Sequence, residues 1–550
     1  YPTGYPNASA AQWLMAFWPA LLLARSGRLP WVLRGLLAGG AVLLAEVALL
    51  SQSRGSLYAT PVMLVLVFAL LPGRVRTFAL LVPVAAGIGA AAPAILRVGE
   101  RIEAGQGAAS GQGAAAAAQT TSAIHTATAA TFLTALVVGL LVAVAAAVER
   151  RRAPLPQATA VRVHRGVGAL ALICLLVLCV GGWVAVGDPV ARARHAWTTF
   201  KSPSGYNANA GGDRLTGGLG SNRYDFYRVA LDEFTAHPLL GIGADNFAEP
   251  YLAHGRSGET PHYPHSVELR TLSQTGLVGA LLALVGLAGA LVAGWRAVSR
   301  SPEPLARALA AAALAGFAYW VVHGSFDWFW EFAGLGAPAF ALLGLACALA
   351  PRVGIVLATS AGPGAGEEGG GEGLAVGEPA ARTRTHARAR GGVFAIGLAA
   401  GLLGLAAIAS FTAPWLSQLQ VQSAGRIWVG APAHAYALLD DAARLNPLFD
   451  EPQLVAGSIA LRRAELRRAD SEFARALQRA PGDAYATLER GAIASTQGRP
   501  HVALALLRRA AELNPRDPLT RDALALVRRG RRVDVAALNR SILSNARQFS

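Results

Sequence analysis

Apolar residues fill the first two-thirds of the chain in long blocks separated by short polar turns, and one polar stretch there is much longer than the rest. The blocks fall at roughly 10–24, 31–50, 57–71, 77–96, 126–148, 166–187, 276–295, 305–322, 332–350 and 392–411. Blocks of this length match the hydrocarbon thickness of a bilayer, so each predicts a membrane-spanning helix. The long polar stretch, residues 188–275, predicts two short helices. One runs from Arg223 to Ala236 and is stopped by His-Pro; the other runs from His265 to Thr275 and is stopped by Gly276. Between them lies a Gly/Pro/Tyr loop with no hydrophobic period, whose order must come from packing on something else. Residues 97–125 hold the low-complexity run GAASGQGAAAAAQTTS and predict a mobile outer loop.

Beyond residue 411 the pattern becomes Ala/Leu amphipathic helices that repeat. ARLNP ends at Pro447, LQRAP at Pro481 and AELNP at Pro515, two steps of 34 residues. That period with an x-Pro turn predicts tetratricopeptide hairpins, each burying its face on its neighbours. The array serves either as a stable spacer or as a docking groove for a protein or glycan partner. The expected fold is all-α: a polytopic membrane helix bundle over 1–351, with an outer loop at 188–275. A disordered cytoplasmic linker at 352–391, a last transmembrane helix at 392–411 and the tetratricopeptide-repeat domain at 412–550 complete it.

Charge sharpens the topology. The net charge of +16 comes almost wholly from arginine, since Lys201 is the single lysine. The arginines concentrate in alternate loops: Arg25, Arg28 and Arg34; Arg74 and Arg76; Arg150 to Arg152, Arg162 and Arg165; Arg296, Arg300 and Arg307; then Arg352 to Arg390. This is the positive-inside asymmetry, which explains the charge better than nucleic-acid binding does. It puts the long loop and the repeat domain outside the cytoplasm. From Asp188 to Arg270 there are eight basic and nine acidic residues, so that loop is no general basic face. Cys174, Cys179 and Cys347 sit within apolar runs, with no disulfide or metal-ligand spacing. The chain opens on Tyr without signal-peptide organisation, and further N-terminal helices are expected to precede it.

On this topology four polar sites share the outer side: Asn7 in GYPNASA, Arg54 in SQSRGSL, the Arg223–His265 segment, and HGSFDWFWE from His323 to Glu331. The ordered set SRG, Arg223 with Tyr227, HPLLGIGADNF, and His265-Ser-x-x-Leu followed by TGLVG resembles the O-antigen ligase/polymerase superfamily. GYPNASAAQWLMAFWP and HGSFDWFW resemble family segments too, so the likeness spans about residues 1–350. Ser266 stands where the family commonly has Asn.

The resemblance implies a bacterial cell-envelope glycosyltransferase of the GT-C kind, multi-pass in the inner or plasma membrane. It implies metal-independent, inverting transfer from a polyprenyl-diphosphate-linked glycan donor to a glycan, lipid or protein acceptor, without a cofactor. The chemistry then assigns roles. Arginine forks suit a diphosphate, so Arg223, Arg54 and Arg228 are its expected ligands, although Arg228 has Asp225, Asp232 and Glu233 within reach. A neutral imidazole suits removal of the acceptor proton, and His265 takes that role with His262 as its neighbour and rival. His323 and Asp327, one helical turn apart, are expected to hydrogen-bond each other as a rigid support. The alternatives are a glycan transporter or export subunit, which requires polar residues at the midplane of several spans, and a membrane-anchored tetratricopeptide scaffold.

Overall fold

A computed structural model describes residues 4–106, 113–151, 188–202, 222–351 and 412–549, with a few isolated positions between them. The spans expected at 166–187 and 392–411 and the linker at 352–391 lie almost wholly outside the described residues. Among the described residues the chain is helical throughout, with no strand. It divides into two compact units, residues 1–354 and 355–550.

The first unit is an all-α polytopic membrane bundle. Its helices are α1 (Pro6–Ala24), α2 (Trp31–Leu50), α3 (Arg54–Leu70), α4 (Arg74–Gln106) and α5 (Gly113–Arg151). Then come α6 (Pro189–Lys201), α7 (Arg223–Ala236), α8 (Ala248–His254), α9 (Val267–Arg300), α10 (Pro304–Gly324) and α11 (Ala333–Ala348). Among the described residues five stretches are long and apolar enough to cross a bilayer: Trp31–Leu50, Arg74–Ile102, Ala114–Arg151, Val267–Arg300 and Pro304–Gly324. Apolar α3 and α11 are shorter, at 17 and 16 residues. Residues 97–125 depart from the expected loop, because α4 continues to Gln106 and α5 begins at Gly113. The physical reason is alanine: GAAAAAQ is a run of the best helix former.

The core lies along α1 and α10, where Trp18, Phe317, Tyr319 and Trp320 are each at most 1% exposed. Around it, α2 and α5 approach closely through small residues. A Cβ on Gly35 would lie 2.6 Å from the Gly139 carbonyl, and one on Gly39 2.6 Å from that of Ala135. Contacts of this kind replace the hydrophobic drive that a lipid solvent does not supply. The peripheral helices turn apolar side chains outward instead, as Leu282 and Val285 of α9 do at 70% exposure. In water such a surface is a liability; against acyl chains it is the solvated state.

One end of the bundle collects arginines. Arg34 donates to the Ala24 carbonyl and pairs with Glu149 at 2.8 Å, and Arg76 pairs with the same carboxylate at 2.9 Å. Arg25 reaches the Pro72 carbonyl and Thr77, while Arg150 reaches the Leu29 carbonyl. The α1–α2 turn, the α3–α4 turn and the end of α5 therefore meet, which is the grouping of arginine-bearing loops that the charge pattern predicts. The starts of α1 and α3 and the ends of α2 and α10 lie at the opposite end.

The second unit contains a helix over 412–427 followed by α12 (Pro432–Leu445), α13 (Glu451–Arg462), α14 (Leu466–Arg479), α15 (Ala484–Thr496), α16 (Pro500–Leu513), α17 (Pro518–Arg528) and α18 (Val535–Phe549). Helices α12, α14 and α16 end at Leu445, Arg479 and Leu513, two intervals of 34 residues. Consecutive helices pack as antiparallel hairpins over a core of Ala435, Leu439, Phe473, Ile493 and Leu507. Buried Glu489 is met by the Asn539 amide of α18 at 3.0 Å, so the last helix closes the stack through a polar contact.

Candidate functional site

Asp327 is the hub of the end away from the arginines. Its residue is 1% exposed, and four donors saturate the carboxylate. Oδ1 accepts from the Tyr5 hydroxyl at 2.9 Å and the Trp328 amide at 2.8 Å. Oδ2 accepts from Asn7 Nδ2 at 2.5 Å and Arg223 Nη2 at 3.0 Å. A carboxylate has about four lone-pair sites, so Asp327 has no capacity left for a transferred proton. Burial works to raise its pKa; the Arg223 charge, then His265 and His323, then the Trp328 amide outweigh burial and hold the carboxyl below its usual range. Asp327 is thus an anionic anchor rather than a base.

Three segments far apart in the chain meet there. Proline at the first position of α1 fixes the chain entry, so Tyr5 precedes the helix and Asn7 lies in its first turn. Arg223 is the first residue of α7, and Asp327 lies just past the end of α10. Burial works against the Arg223 charge, but Asp327 foremost, with Tyr5 and Tyr227, raises its affinity for the proton further. Only one guanidinium nitrogen is given to Asp327 in this ion pair; a guanidinium fork carries five N–H donors in all.

Helix geometry sorts the two arginines of α7. Tyr227 follows Arg223 by one turn and shares its face, whereas Arg228 is rotated by about 140° at 3.6 residues per turn. Arg228 binds Asp225 at 2.8 Å, Asp232 at 2.9 Å and the His254 carbonyl at 2.7 Å. Asp225 in turn accepts from Tyr251 at 2.9 Å and the Arg256 amide at 2.6 Å. This network fastens α8 and the following loop to α7, away from Asp327. Of the three arginines assigned to a diphosphate, Arg228 is therefore spent on the scaffold. Arg54 opens α3 beside the site, since Gly55 lies directly against the His323 ring.

His265 sits between the expected helix and its loop. The helix begins at Val267 rather than at His265, because Ser266 caps it through the Leu269 amide and His265 itself has φ +56°. Its ring packs on Phe226 and Trp328, with centroids 5.1 and 6.4 Å away. Nδ1 lies 3.0 Å from the Tyr263 carbonyl, an acceptor, so the proton belongs on Nδ1 and Nε2 carries the lone pair. Burial chiefly, opposed by Asp327 and assisted by the Arg223 charge, pushes the imidazole down to about 4. Tyr227 donates to the His265 carbonyl at 3.3 Å, tying the histidine to the turn that carries Arg223.

His323 does not pair with Asp327 as its spacing suggests. Its Nδ1 lies 3.3 Å from the Tyr319 hydroxyl, and its fully buried ring fills the space beside Gly55. The i,i+4 geometry fails because α10 ends at Gly324, so Asp327 has left the helix by the time it is reached. His262 is exposed, with its ring beside Tyr263.

Gly276 explains the family-like glycines. It has φ +61°, and α9 breaks there instead of stopping. The break frees backbone groups on both sides, and the segment after His237 takes them up. Ile242 and Gly243 amides donate to the Ser273 and Gln274 carbonyls at 2.9 and 3.0 Å. Leu277 and Val278 amides donate to the Pro238 and Leu239 carbonyls at 2.8 and 3.2 Å. The backbones approach so closely that a Cβ on Gly276 would sit 2.3 Å from Leu239, and one on Gly241 2.4 Å from Gln274. Interrupted membrane helices are tolerated where a neighbour satisfies the freed groups, as here.

Sequence reasoning missed Tyr5, Trp328 and Arg270. Arg270 stacks over the Tyr263 ring, binds Asp245 at 3.0 Å and pairs with Glu331, holding the loop after α10 against α9. Left-handed backbone was a further sign: Gln52, Asn222, Asp245 and His265 all have positive φ, and Asn222 directly precedes Arg223. Strained residues concentrate where surrounding structure over-determines them, which is typical of working sites. Among the described residues no group of three or more His, Cys, Asp or Glu side chains is arranged to hold a metal ion.

The chain matches no curated protein. Residues 114–284, the stretch that supplies Arg223, Arg228, His262 and His265, match the family model of the O-antigen ligase, and this part of the chain is similar to an O-antigen ligase domain.

Proposed function

We propose that this protein is a membrane glycosyltransferase that moves or polymerises an oligosaccharide from a polyprenyl-diphosphate carrier onto an acceptor hydroxyl. The observation that carries this reading is the meeting of Asn7, Arg223 and Asp327 beside His265 at one end of a membrane bundle. The O-antigen ligase match over residues 114–284 supports a membrane glycan ligase or polymerase in general.

In the proposed reaction Arg223, anchored by Asp327 and Tyr5, presents the N–H donors that these two leave over to the diphosphate, with Arg54 as a second ligand. His265 Nε2 accepts the acceptor's hydroxyl proton. The acceptor oxygen bonds to the anomeric carbon, the bond from that carbon to the phosphate oxygen breaks, and the carrier diphosphate leaves with both electrons. Displacement from the opposite face inverts the anomeric centre. Guanidinium charge supplies the stabilisation of the leaving diphosphate in this metal-independent scheme. The site end is assigned to the outer face of a bacterial inner or plasma membrane, following the arginine asymmetry. The second unit is read as a tetratricopeptide array, either a stable spacer or a docking groove for a protein or glycan partner; its 34-residue helix spacing supports the repeat.

The test is transfer by the purified full chain in vesicles, given a polyprenyl-diphosphate glycan and a set of glycan, lipid and protein acceptors. Arg223→Ala and His265→Ala are each expected to lose at least about 10²-fold in turnover. Wild-type rates in both variants would remove the site assignment, and glycan uptake into vesicles without an acceptor would favour transport instead.

A further inference from the structure

A second feature of the bundle lies a full membrane thickness from the site. A cavity of about 720 Å³ opens between α3 and α9, with α10 as its floor. Its size is within the range of small-molecule pockets. Depth comes from Ala311, Ala315 and Ala318 on α10, whose small side chains leave a trough under Leu66 and Leu291. The trough is apolar along its length and polar at one end, where Arg296, Ser299 and Arg300 form the mouth beside Trp295. Arg296 has a buried Nε with no hydrogen-bond partner among the described residues. Among the described residues neither Arg296 nor Arg300 makes an ion pair of the kind seen at Arg34, Arg76 and Arg223.

Position identifies the leaflet. From Gly276, at the site end of α9, to Arg296 is 20 residues, or about 30 Å of helix, one hydrocarbon thickness. The mouth therefore lies at the arginine-bearing end, where a second cavity of about 310 Å³ is lined by Arg25, Arg28 and Arg76 beside Pro304. The two cavities neighbour each other: Leu71 lines the first and Pro72 the second, and on α10 Ala311 lines the first and Ala308 the second. A ligand matching this layout has a long apolar tail, a single anionic head at the bilayer surface, and no reason to reach the catalytic end.

We propose that the trough between α3, α9 and α10 binds an anionic phospholipid, with its phosphate at Arg296 and Arg300 and an acyl chain along the alanines of α10. Charge complementarity decides the class. Guanidinium groups bind phosphate in two places, and a zwitterionic head offers them less net attraction. Tryptophan at the mouth suits the headgroup level of a bilayer.

Native mass spectrometry of the full chain tests this, with 1-palmitoyl-2-oleoyl phosphatidylglycerol or the matching phosphatidylcholine titrated into the detergent-solubilised protein. One phosphatidylglycerol is expected to persist under activation that strips phosphatidylcholine. Arg296→Gln with Arg300→Gln is expected to weaken that adduct roughly 30-fold, about the effect of two lost charge contacts at a membrane surface. Arg296→Lys with Arg300→Lys should restore part of it. Ala315→Leu fills the trough from its floor and should lower retention of phosphatidylglycerol without removing charge. Arg97→Gln with Arg101→Gln, an equal charge loss on exposed residues of α4, should leave binding unchanged. Equal retention of the two lipids, undiminished binding in the Arg296/Arg300 variant, or an equal loss in the Arg97/Arg101 variant would each overturn the proposal. Displacement by inorganic phosphate would show that the head alone binds and would overturn the acyl-chain assignment. Stronger retention of polyprenyl phosphate than of phosphatidylglycerol would reassign the trough to the carrier.

Discussion

Arg223 reaches across 104 residues to place Nη2 3.0 Å from Oδ2 of Asp327, and the carboxylate is wholly inaccessible to solvent. Removing one partner of such a pair leaves the other charge buried and unmatched. Asp327→Ala is therefore expected to destabilise the first unit by roughly 3–5 kcal/mol, while Arg223→Met with Asp327→Leu costs much less than the two single changes combined. Thermal unfolding of the four proteins in one detergent measures the coupling. Additive losses would show that the pair contributes nothing as a pair.

His265 gives a pH signature of known sign. Its folded-state pKa, about 4, lies below the ordinary 6.5, so between those values the unfolded chain binds more protons. Stability is complete above about 6.5 and is lost as pH falls towards 4. His265→Asn should flatten that part of the stability curve, because asparagine also tolerates the positive φ but does not titrate. The same variant should lose roughly 10²- to 10⁴-fold in turnover at neutral pH. Unfolding between pH 4.5 and 7.5, read beside a transfer assay, separates the two effects. An anionic donor close to the ring raises its pKa, so the acid limb of kcat should lie above that of kcat/KM.

At Gly276 any side chain meets the Leu239 backbone at 2.3 Å while holding φ +61°. Gly276→Ala is expected to cost roughly 1–3 kcal/mol and to speed amide exchange at Ile242, Gly243, Leu277 and Val278 together. Faster exchange at Leu277 and Val278 alone would mean that the loop does not support the break.

In the second unit, burial raises the Glu489 carboxyl to about 7, only partly opposed by Asn539 and Tyr485. A pKa raised on folding stabilises below the ordinary value and loses that contribution as pH rises through 7. Glu489→Gln should therefore remove a pH-dependent loss of roughly 1–3 kcal/mol in the full chain at pH 8. Amide exchange across α15, compared at pH-corrected rates between pH 6 and 8, is the readout.

Much of this architecture is legible in the pattern of residues. The 14-residue α7 begins and ends at the expected Arg223 and Ala236, because His-Pro forbids its continuation. The 34-residue interval reappears as helix ends for the same local reason, an x-Pro turn after each amphipathic run. The site was partly legible: Asn7, Arg223, His265 and Asp327 carry chemistry and share a side. What one-dimensional spacing does not contain is the pairing among them. His323 and Asp327 look like helical neighbours until α10 ends between them, and Asp327 then joins Arg223 through the fold alone. The acidic neighbours of Arg228 already set it apart from Arg223 in sequence, and the rotation around α7 turns it onto them and away from Asp327. Gly276 reads as a stop because the groups that let the helix resume come from Pro238 to Gly243, more than thirty residues upstream.

Those four amide bonds across the break have a mechanical corollary. They tie both halves of α9 to the turn from Pro238 to Gly243, so a tilt of the helix is passed on to that turn. Leu239 and Leu240, 65% and 72% exposed, sit in that turn. Under the proposed function, a bilayer whose thickness retilts this helix would also change the height at which His265 meets an acceptor.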